Sequence, residues 1–135
     1  MSDATLNGVD VAAHDAPGYK PLIRSGGDWM AAIMNGTETS WRVPETIEKH
    51  PGTDELFVLL SGRAMMIVAG ADDQPGEIAQ AEMVPNVLYN VKAGVWHATP
   101  QSPDARFLII ERTGTEIDGS VRAPLSAAQQ AAINL

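Results

Sequence analysis

The apolar runs of this chain are short, and turn residues interrupt them about every 8–12 positions. Glycine, proline and aspartate form the interruptions, as in Gly26-Gly27-Asp28. No run approaches the roughly 18 apolar residues of a membrane span. Between the turns the sequence predicts strands, the clearest being Tyr19–Ser25, Trp29–Asn35, Glu55–Leu60 and Arg106–Arg112. This pattern is typical of an all-β sandwich or jelly-roll barrel.

The 135 residues amount to about one domain. A loosely ordered N-terminal segment is expected at residues 1–18, where small apolar residues are scattered among polar ones. The β-barrel is expected at residues 19–125, with one of its short strands at 39–43. Residues 126–135 are expected to form a short C-terminal helix, because Ser126 is a good N-cap and the following alanines and glutamines favour helix. A helix this short needs docking to be stable.

One block, running from Glu48 to Gly62, places the carboxylates of Glu48 and Glu55 and the imidazole of His50 around a tight turn. Side chains two apart in a strand share a face, so Glu48 and His50 should point the same way. After the turn, the strand carries Glu55 on the same face as two apolar side chains. Burying a carboxylate there is costly unless it is paired or bound to a cation.

A second block ends at His97, thirty-five residues after Gly62. If it folds onto the first block, His97 joins Glu48, His50 and Glu55 in one cluster. Two imidazoles and two carboxylates suit a divalent first-row metal such as Mn, Fe, Ni or Zn.

Other interpretations of the same residues stay open. Glu48 follows Glu45 and can belong to a solvated charged edge, and a histidine beside a turn is often a surface group. Asp54 is an alternative to Glu48 as a ligand, although its side chain should point away from Glu55.

The first block resembles the first motif of the cupin superfamily, which has two histidines separated by one residue, then a glutamate and a closing glycine. His50 matches the second histidine, Glu55 the glutamate and Gly62 the glycine. Glu48 stands where the family has its first histidine. The second block resembles the second cupin motif through its glycine and histidine, Gly94 and His97.

This resemblance covers residues 42 to 112 and implies a small single-domain cupin, a jelly-roll or double-stranded β-helix barrel. It implies a metal held by Glu48, His50, Glu55 and His97, and a metal-dependent isomerase, lyase or dioxygenase acting on a small polar metabolite. Some cupins lack metal, so a metal-free protein in which Glu55 and His97 act as catalytic acid–base groups is the alternative. A module that only binds a small molecule is a third. Whether the chain is an enzyme stays open.

Further side chains near the motifs are candidates for lining a substrate pocket: Arg42, Arg63, Phe57, Met65 and Tyr89. An arginine there would hold a substrate carboxylate, although surface pairing with the surplus acids explains the arginines equally well. Cupins commonly dimerise through strands that are apolar on both faces, like the strand at Trp29. The resemblance therefore implies a homodimer.

The composition limits the classes of partner that the protein is expected to bind. The net charge of −8 argues against nucleic acid and anionic membranes, both of which require basic patches. The absence of cysteine excludes disulfides, thiolate ligands and a cysteine nucleophile. The first residues have neither the basic start nor the apolar centre of a signal peptide, so a soluble, cytoplasmic protein is expected. Because nucleic acid and anionic membranes are disfavoured by the charge, the expected partner is a small molecule.

Overall fold

The computed structural model describes residues 4–115 and 119–135. In these ranges the chain forms twelve strands and one helix. The strands are β1 (Ala4–Leu6), β2 (Val9–Val11), β3 (Gly18–Ser25), β4 (Trp29–Asn35), β5 (Thr46–Lys49), β6 (Glu55–Ser61), β7 (Met65–Val68), β8 (Ala79–Glu82), β9 (Leu88–Val91), β10 (His97–Ala98), β11 (Arg106–Arg112) and β12 (Val121–Pro124), and the helix is α1 (Ala127–Ala131).

Two five-stranded antiparallel sheets build the barrel. The front sheet has the order β12-β5-β10-β7-β8, and the back sheet has the order β3-β4-β11-β6-β9. Side chains from both sheets share one core, in which Phe57 and Phe107 of the back sheet pack with Met66 of the front sheet. The all-β jelly-roll prediction is confirmed.

The central strands of the back sheet follow the expected alternation. In β6, Glu55, Phe57 and Leu59 are buried, whereas the residues between them are partly exposed. The same period holds in β11, where Phe107, Ile109 and Glu111 are buried. Each strand therefore presents two apolar side chains and one carboxylate to the interior.

A second core covers the outer face of the front sheet. Trp96, which directly precedes His97, is fully buried in it. Ser126 is the N-cap of helix α1 and forms a capping box with Gln129. Beyond the helix, Ile133 enters this second core, so the C-terminal segment is docked.

No helix in the described ranges is long and apolar enough to cross a membrane.

Two segments differ from expectation. Residues 4–11 were expected to be loosely ordered and instead hold the hairpin β1–β2, which forms a separate sheet. No strand forms at residues 39–43, so that prediction is wrong. The Ser40 hydroxyl bonds to the Thr37 carbonyl and to the Gln101 carbonyl, and these bonds hold a loop in place of a strand.

Steric crowding explains why the first motif closes with a glycine. Gly62 has a φ of +78°, and an added Cβ would lie 2.6 Å from the Ala105 Cα and 2.8 Å from its nitrogen. Both obstacles are backbone atoms of the loop that leads into β11, so neither can rotate away. Only glycine fits here.

We expect Gly62→Ala to lower the free energy of unfolding by about 2–5 kcal/mol, from the left-handed conformation and the clash together. Gly52→Ala is the matched control, because it lies in a turn with no atom within 4 Å of its added Cβ. Urea denaturation measures both. A Gly62→Ala protein as stable as the control would contradict this explanation.

Candidate metal centre

The predicted ligands meet in one cavity between the two sheets. Its volume is about 310 Å³, at the lower end of small-molecule pockets. The front sheet contributes Glu48 and His97 to its lining, and the back sheet contributes Glu55 and Glu111. His50 follows β5 directly. The site therefore exists only when both sheets are packed together.

Strand register explains why residues far apart in sequence converge. His97 on β10 lies directly opposite Glu48 on β5, so both side chains stand on the same face of the front sheet. The turn that begins at Pro51 then carries the chain from the front sheet to the back sheet, where Glu55 opens β6. Both cupin-like blocks thus deliver their polar residues to one place.

The two imidazoles are oriented by bonds on their outer nitrogens. Nδ1 of His97 lies 2.9 Å from the Val95 carbonyl, and it donates to that oxygen. Nδ1 of His50 lies 3.1 Å from the Ser120 hydroxyl, which itself donates to the Thr115 carbonyl. In both rings the Nε2 atom is left facing the cavity, buried and without a hydrogen-bond partner in the described ranges. Ligating histidines are held in this way.

Glu55 lies between the two rings. Its Oε2 is 2.8 Å from His50 Nε2, and its Oε1 is 3.5 Å from His97 Nε2. The shorter contact is an ion pair between the two buried side chains. Glu48 Oε1 stands 3.9 Å from His50 Nε2 on another side. The structure thus brings together all four residues that the sequence predicts as ligands.

Sequence reasoning missed a third carboxylate in the cavity, Glu111. Its Oε2 lies 3.9 Å from His50 Nε2, and its Oε1 accepts a 2.9 Å hydrogen bond from the Tyr19 hydroxyl. A signal was present in the sequence, because Glu111 continues the inward alternation of Phe107 and Ile109. The cupin motifs do not include this position, so a search for those motifs does not find it.

The carboxylates titrate unequally. Burial alone would raise the pKa of Glu55, but contacts with His50, His97 and Glu111 outweigh burial and hold that pKa well below its usual range. Burial and the neighbouring Glu55 charge raise the pKa of Glu111 to about 8, although the Tyr19 hydrogen bond opposes them. Burial lowers the pKa of His50, but the Glu55, Glu48 and Glu111 carboxylates overcome this and raise it. Without a bound cation, the cluster relieves its repulsion by holding protons.

Of the predicted pocket residues, Phe57 lines the cavity and the other four do not. Arg42 lies in a separate surface groove. Arg63 is exposed, pairs with Glu82 and stacks over the Trp41 ring. Met65 and Tyr89 lie elsewhere as well: Met65 packs in the second core, and the Tyr89 hydroxyl accepts from the Val84 N–H.

Arg122 lines the cavity instead, and it is the only arginine or lysine among the described residues that does so. It lies opposite Glu48 in the β12–β5 pair, and its guanidinium is 3.1 Å from Glu48 Oε2. Asp54 does not replace Glu48, because its carboxylate accepts from the Ala93 N–H and the Asn90 amide outside the cavity.

We expect the free energy of unfolding of the metal-free protein to fall as pH rises from about 5 to 8. Glu111 keeps its proton in the folded state up to a pKa of about 8, but loses it near 4.3 when unfolded, so the folded state binds more protons in this window. The raised pKa of His50 acts in the same direction above pH ~6.5.

Glu111→Gln should flatten this dependence, and urea denaturation across the pH range in a chelator measures it. Equal slopes in the variant and the wild type would contradict a protonated Glu111.

No protein-family model matches the sequence, and no curated protein matches it. Solved structures do match. An oxalate decarboxylase has a TM-score of 0.53 at 17% identity, with 82% of this chain and 29% of that chain covered. The DMSP lyase DddQ from Ruegeria pomeroyi DSS-3 has a TM-score of 0.50 at 17% identity, with 77% and 50% covered. The oxalate decarboxylase of Lactobacillus farciminis has a TM-score of 0.50 at 14% identity, with 70% and 26% covered.

This chain thus spans half of the DddQ chain and less than a third of each oxalate decarboxylase chain. Identities this low establish the fold alone. These structures are cupins, and their barrel is the one that the two motifs indicate. The chain therefore folds as a cupin, with its polar cluster between the two sheets of the jelly roll.

Proposed function

We propose that the protein is a metal-dependent enzyme acting on a small polar metabolite in the cavity between the sheets. Glu48, His50, Glu55 and His97 hold one divalent ion, which is Mn, Fe, Ni or Zn. The observation that carries the proposal is that the buried Nε2 atoms of His50 and His97 converge on one carboxylate, 2.8 Å and 3.5 Å from the two oxygens of Glu55. Two imidazole nitrogens beside a carboxylate in a buried cavity are the donor set of a divalent ion, and a cation there would also satisfy His97 Nε2, which has no hydrogen-bond partner in the described ranges.

The chain's own residues set up the chemistry. Ser120 and the Val95 carbonyl fix both imidazoles with Nε2 inward, so the donors need no rearrangement. Phe57 and its apolar neighbours in the lining limit water in the cavity, which strengthens every electrostatic interaction inside it. A bound divalent ion supplies Lewis-acid or oxygen-activating chemistry there.

The nature of the ion separates the reaction classes. Iron held by two histidines and carboxylates favours dioxygenase chemistry. Manganese, nickel or zinc favours an isomerase, lyase or hydrolytic reaction. In this metal-dependent form the catalytic residues Glu55 and His97, which are 3.5 Å apart and both line the cavity, act as ligands of the ion.

Arg122 suits a metabolite that carries one negative charge. It stands at the cavity lining with most of its side chain exposed, and Glu48 engages it at 3.1 Å through one guanidinium nitrogen. Its remaining N–H groups can receive a substrate carboxylate. A singly charged substrate also agrees with the net charge of −8, which disfavours more strongly anionic ones.

A metal-free function is favoured by one observation, the 2.8 Å contact between His50 and Glu55. The pKa of His50 is raised and that of Glu55 is lowered, so an imidazolium–carboxylate pair can replace the ion in neutralising the cavity. In that case Glu55 and His97 act as acid and base without metal.

We expect protein purified without a tag or chelator to contain about one equivalent of metal per chain, measured by inductively coupled plasma mass spectrometry. His97→Ala should abolish the metal, because it removes one of two nitrogen donors. The matched control is His14→Ala, since His14 lies outside the cavity and bonds to the Gly18 carbonyl.

A wild-type site that is empty and refuses added metal would overturn the metal proposal. Turnover that survives chelation but is lost in Glu55→Gln would then establish the acid–base alternative. Melting temperatures of each variant are needed beside both measurements, because Glu55 is buried in an apolar strand.

We also infer that a second copy of the chain covers the outer face of the back sheet. Two neighbouring rows of cross-strand partners give this face an apolar centre: Ile33, Leu108, Val58 and Leu88, with Lys20 at one end, and Ala31, Ile110 and Leu56, with Asn90 at one end. Leu88 at the edge is 67% exposed, and Trp29 on the same face is 46% exposed. An apolar face of this extent is typical of an interaction surface.

Size-exclusion chromatography with light scattering should therefore give twice the chain mass of 14.4 kDa. Val58→Glu places a charge at the centre of the face and should yield monomers, whereas Val9→Glu on the exposed β2 strand should not. A wild-type mass of 14.4 kDa would exclude the homodimer.

A further inference from the structure

Three carboxylate oxygens surround one imidazole nitrogen in the cavity. His50 Nε2 lies 2.8 Å from Glu55 Oε2, 3.9 Å from Glu48 Oε1 and 3.9 Å from Glu111 Oε2. The family motifs account for Glu55, and for Glu48 as a replaced histidine. They do not account for Glu111.

The two oxygens of Glu111 have different surroundings. Oε1 accepts the hydrogen bond from Tyr19, whereas Oε2 is buried and accepts no hydrogen bond from an N–H group or hydroxyl of the residues described. The whole residue is 6% exposed and lines the cavity. A carboxylate with one oxygen tied by a hydroxyl and the other aimed at a cation is the usual state of a ligating carboxylate.

The donor separations around His50 Nε2 suit an ion bound at that atom. With bonds of about 2.1 Å, cis donors of an octahedral ion lie ~3.0 Å apart and trans donors ~4.2 Å apart. The donor atoms of Glu48, His50 and His97 all lie within 4.8 Å of one another, and so do those of His50, Glu55 and Glu111. His50 belongs to both groups, and its Nε2 lies 3.9 Å from Glu48 Oε1 in one group and 3.9 Å from Glu111 Oε2 in the other, so an ion bound to that atom would stand between the two groups.

We propose that Glu111 is a fifth protein ligand of the ion, which is then held by two imidazoles and three carboxylates. This inference rests on the metal-dependent function proposed above. A six-coordinate ion so held keeps a single position for water or for one substrate oxygen. The site therefore selects substrates that bind through one oxygen atom, and it excludes those that must chelate the ion through two.

Tyr19 is a positioning residue in this arrangement. Its hydroxyl fixes Oε1 of Glu111 and so directs Oε2 towards His50. Tyr19→Phe removes the hydroxyl and leaves the ring. It should weaken metal affinity without changing the number of protein ligands.

The test counts the exchangeable water molecules on Mn(II) bound to the whole protein, by the relaxation rate of water protons. We expect about one water in the wild type and about two in Glu111→Ala, with Mn(II) affinity at least about tenfold weaker in the variant. Glu111→Leu serves as the second variant if the alanine protein folds poorly, because leucine suits this buried strand and removes both oxygens. Glu82→Ala, a surface glutamate paired with Arg63, is the matched control and should behave as wild type.

Two waters in the wild type, unchanged by either Glu111 variant, would overturn the fifth ligand while leaving the metal function intact. Failure of the wild type to bind Mn(II), Fe(II), Ni(II) or Zn(II) at all would overturn both. A gain of one water in the Glu111 variants alone supports the proposal.

Discussion

Three carboxylates converge on one imidazole inside this barrel, and neutralising their mutual repulsion lowers the cost of burying them. Without a cation the neutralisation comes from protons: the pKa of His50 is raised, and the pKa of Glu111 rises to about 8. A divalent ion would supply the same compensation without protonating any donor. The proton-binding and ion-binding states of the cavity are thus alternatives, and the cost of burying the carboxylates is offset in either one.

The same cluster joins the two halves of the barrel. Glu48 and His97 come from the front sheet, while Glu55 and Glu111 come from the back sheet, so any cation between them cross-links the sheets. A cation bound there would therefore stabilise the folded barrel, because a ligand that binds only the folded state stabilises it. Close backbone packing also stabilises the barrel, since the absence of a side chain at Gly62 allows the loop before β11 to pack directly against it.

Sequence reasoning succeeded where a local pattern carries the information. Alternation in β6 placed Phe57 on the same face as the first-motif glutamate, and the structure puts both in the cavity. Glu111 was missed because the two cupin motifs do not contain this position. The alternation of buried residues in β11 did indicate that its side chain faces the interior. Arg42 lies in a loop and Arg63 follows a turn, where no period fixes the direction of a side chain. Arg122 reaches the cavity only through the pairing of β12 with β5, a long-range register that the sequence does not display.

The central claim is that one ion sits among five converging side chains, and anomalous diffraction from crystals grown with Mn(II) tests it most directly. We expect one strong anomalous peak about 2.0–2.3 Å from Nε2 of His50 and of His97, with carboxylate oxygens of Glu48, Glu55 and Glu111 at similar distances. No peak in the cavity, with His50 and Glu55 still in direct contact, would contradict the claim and leave the protonated cluster as the functional state.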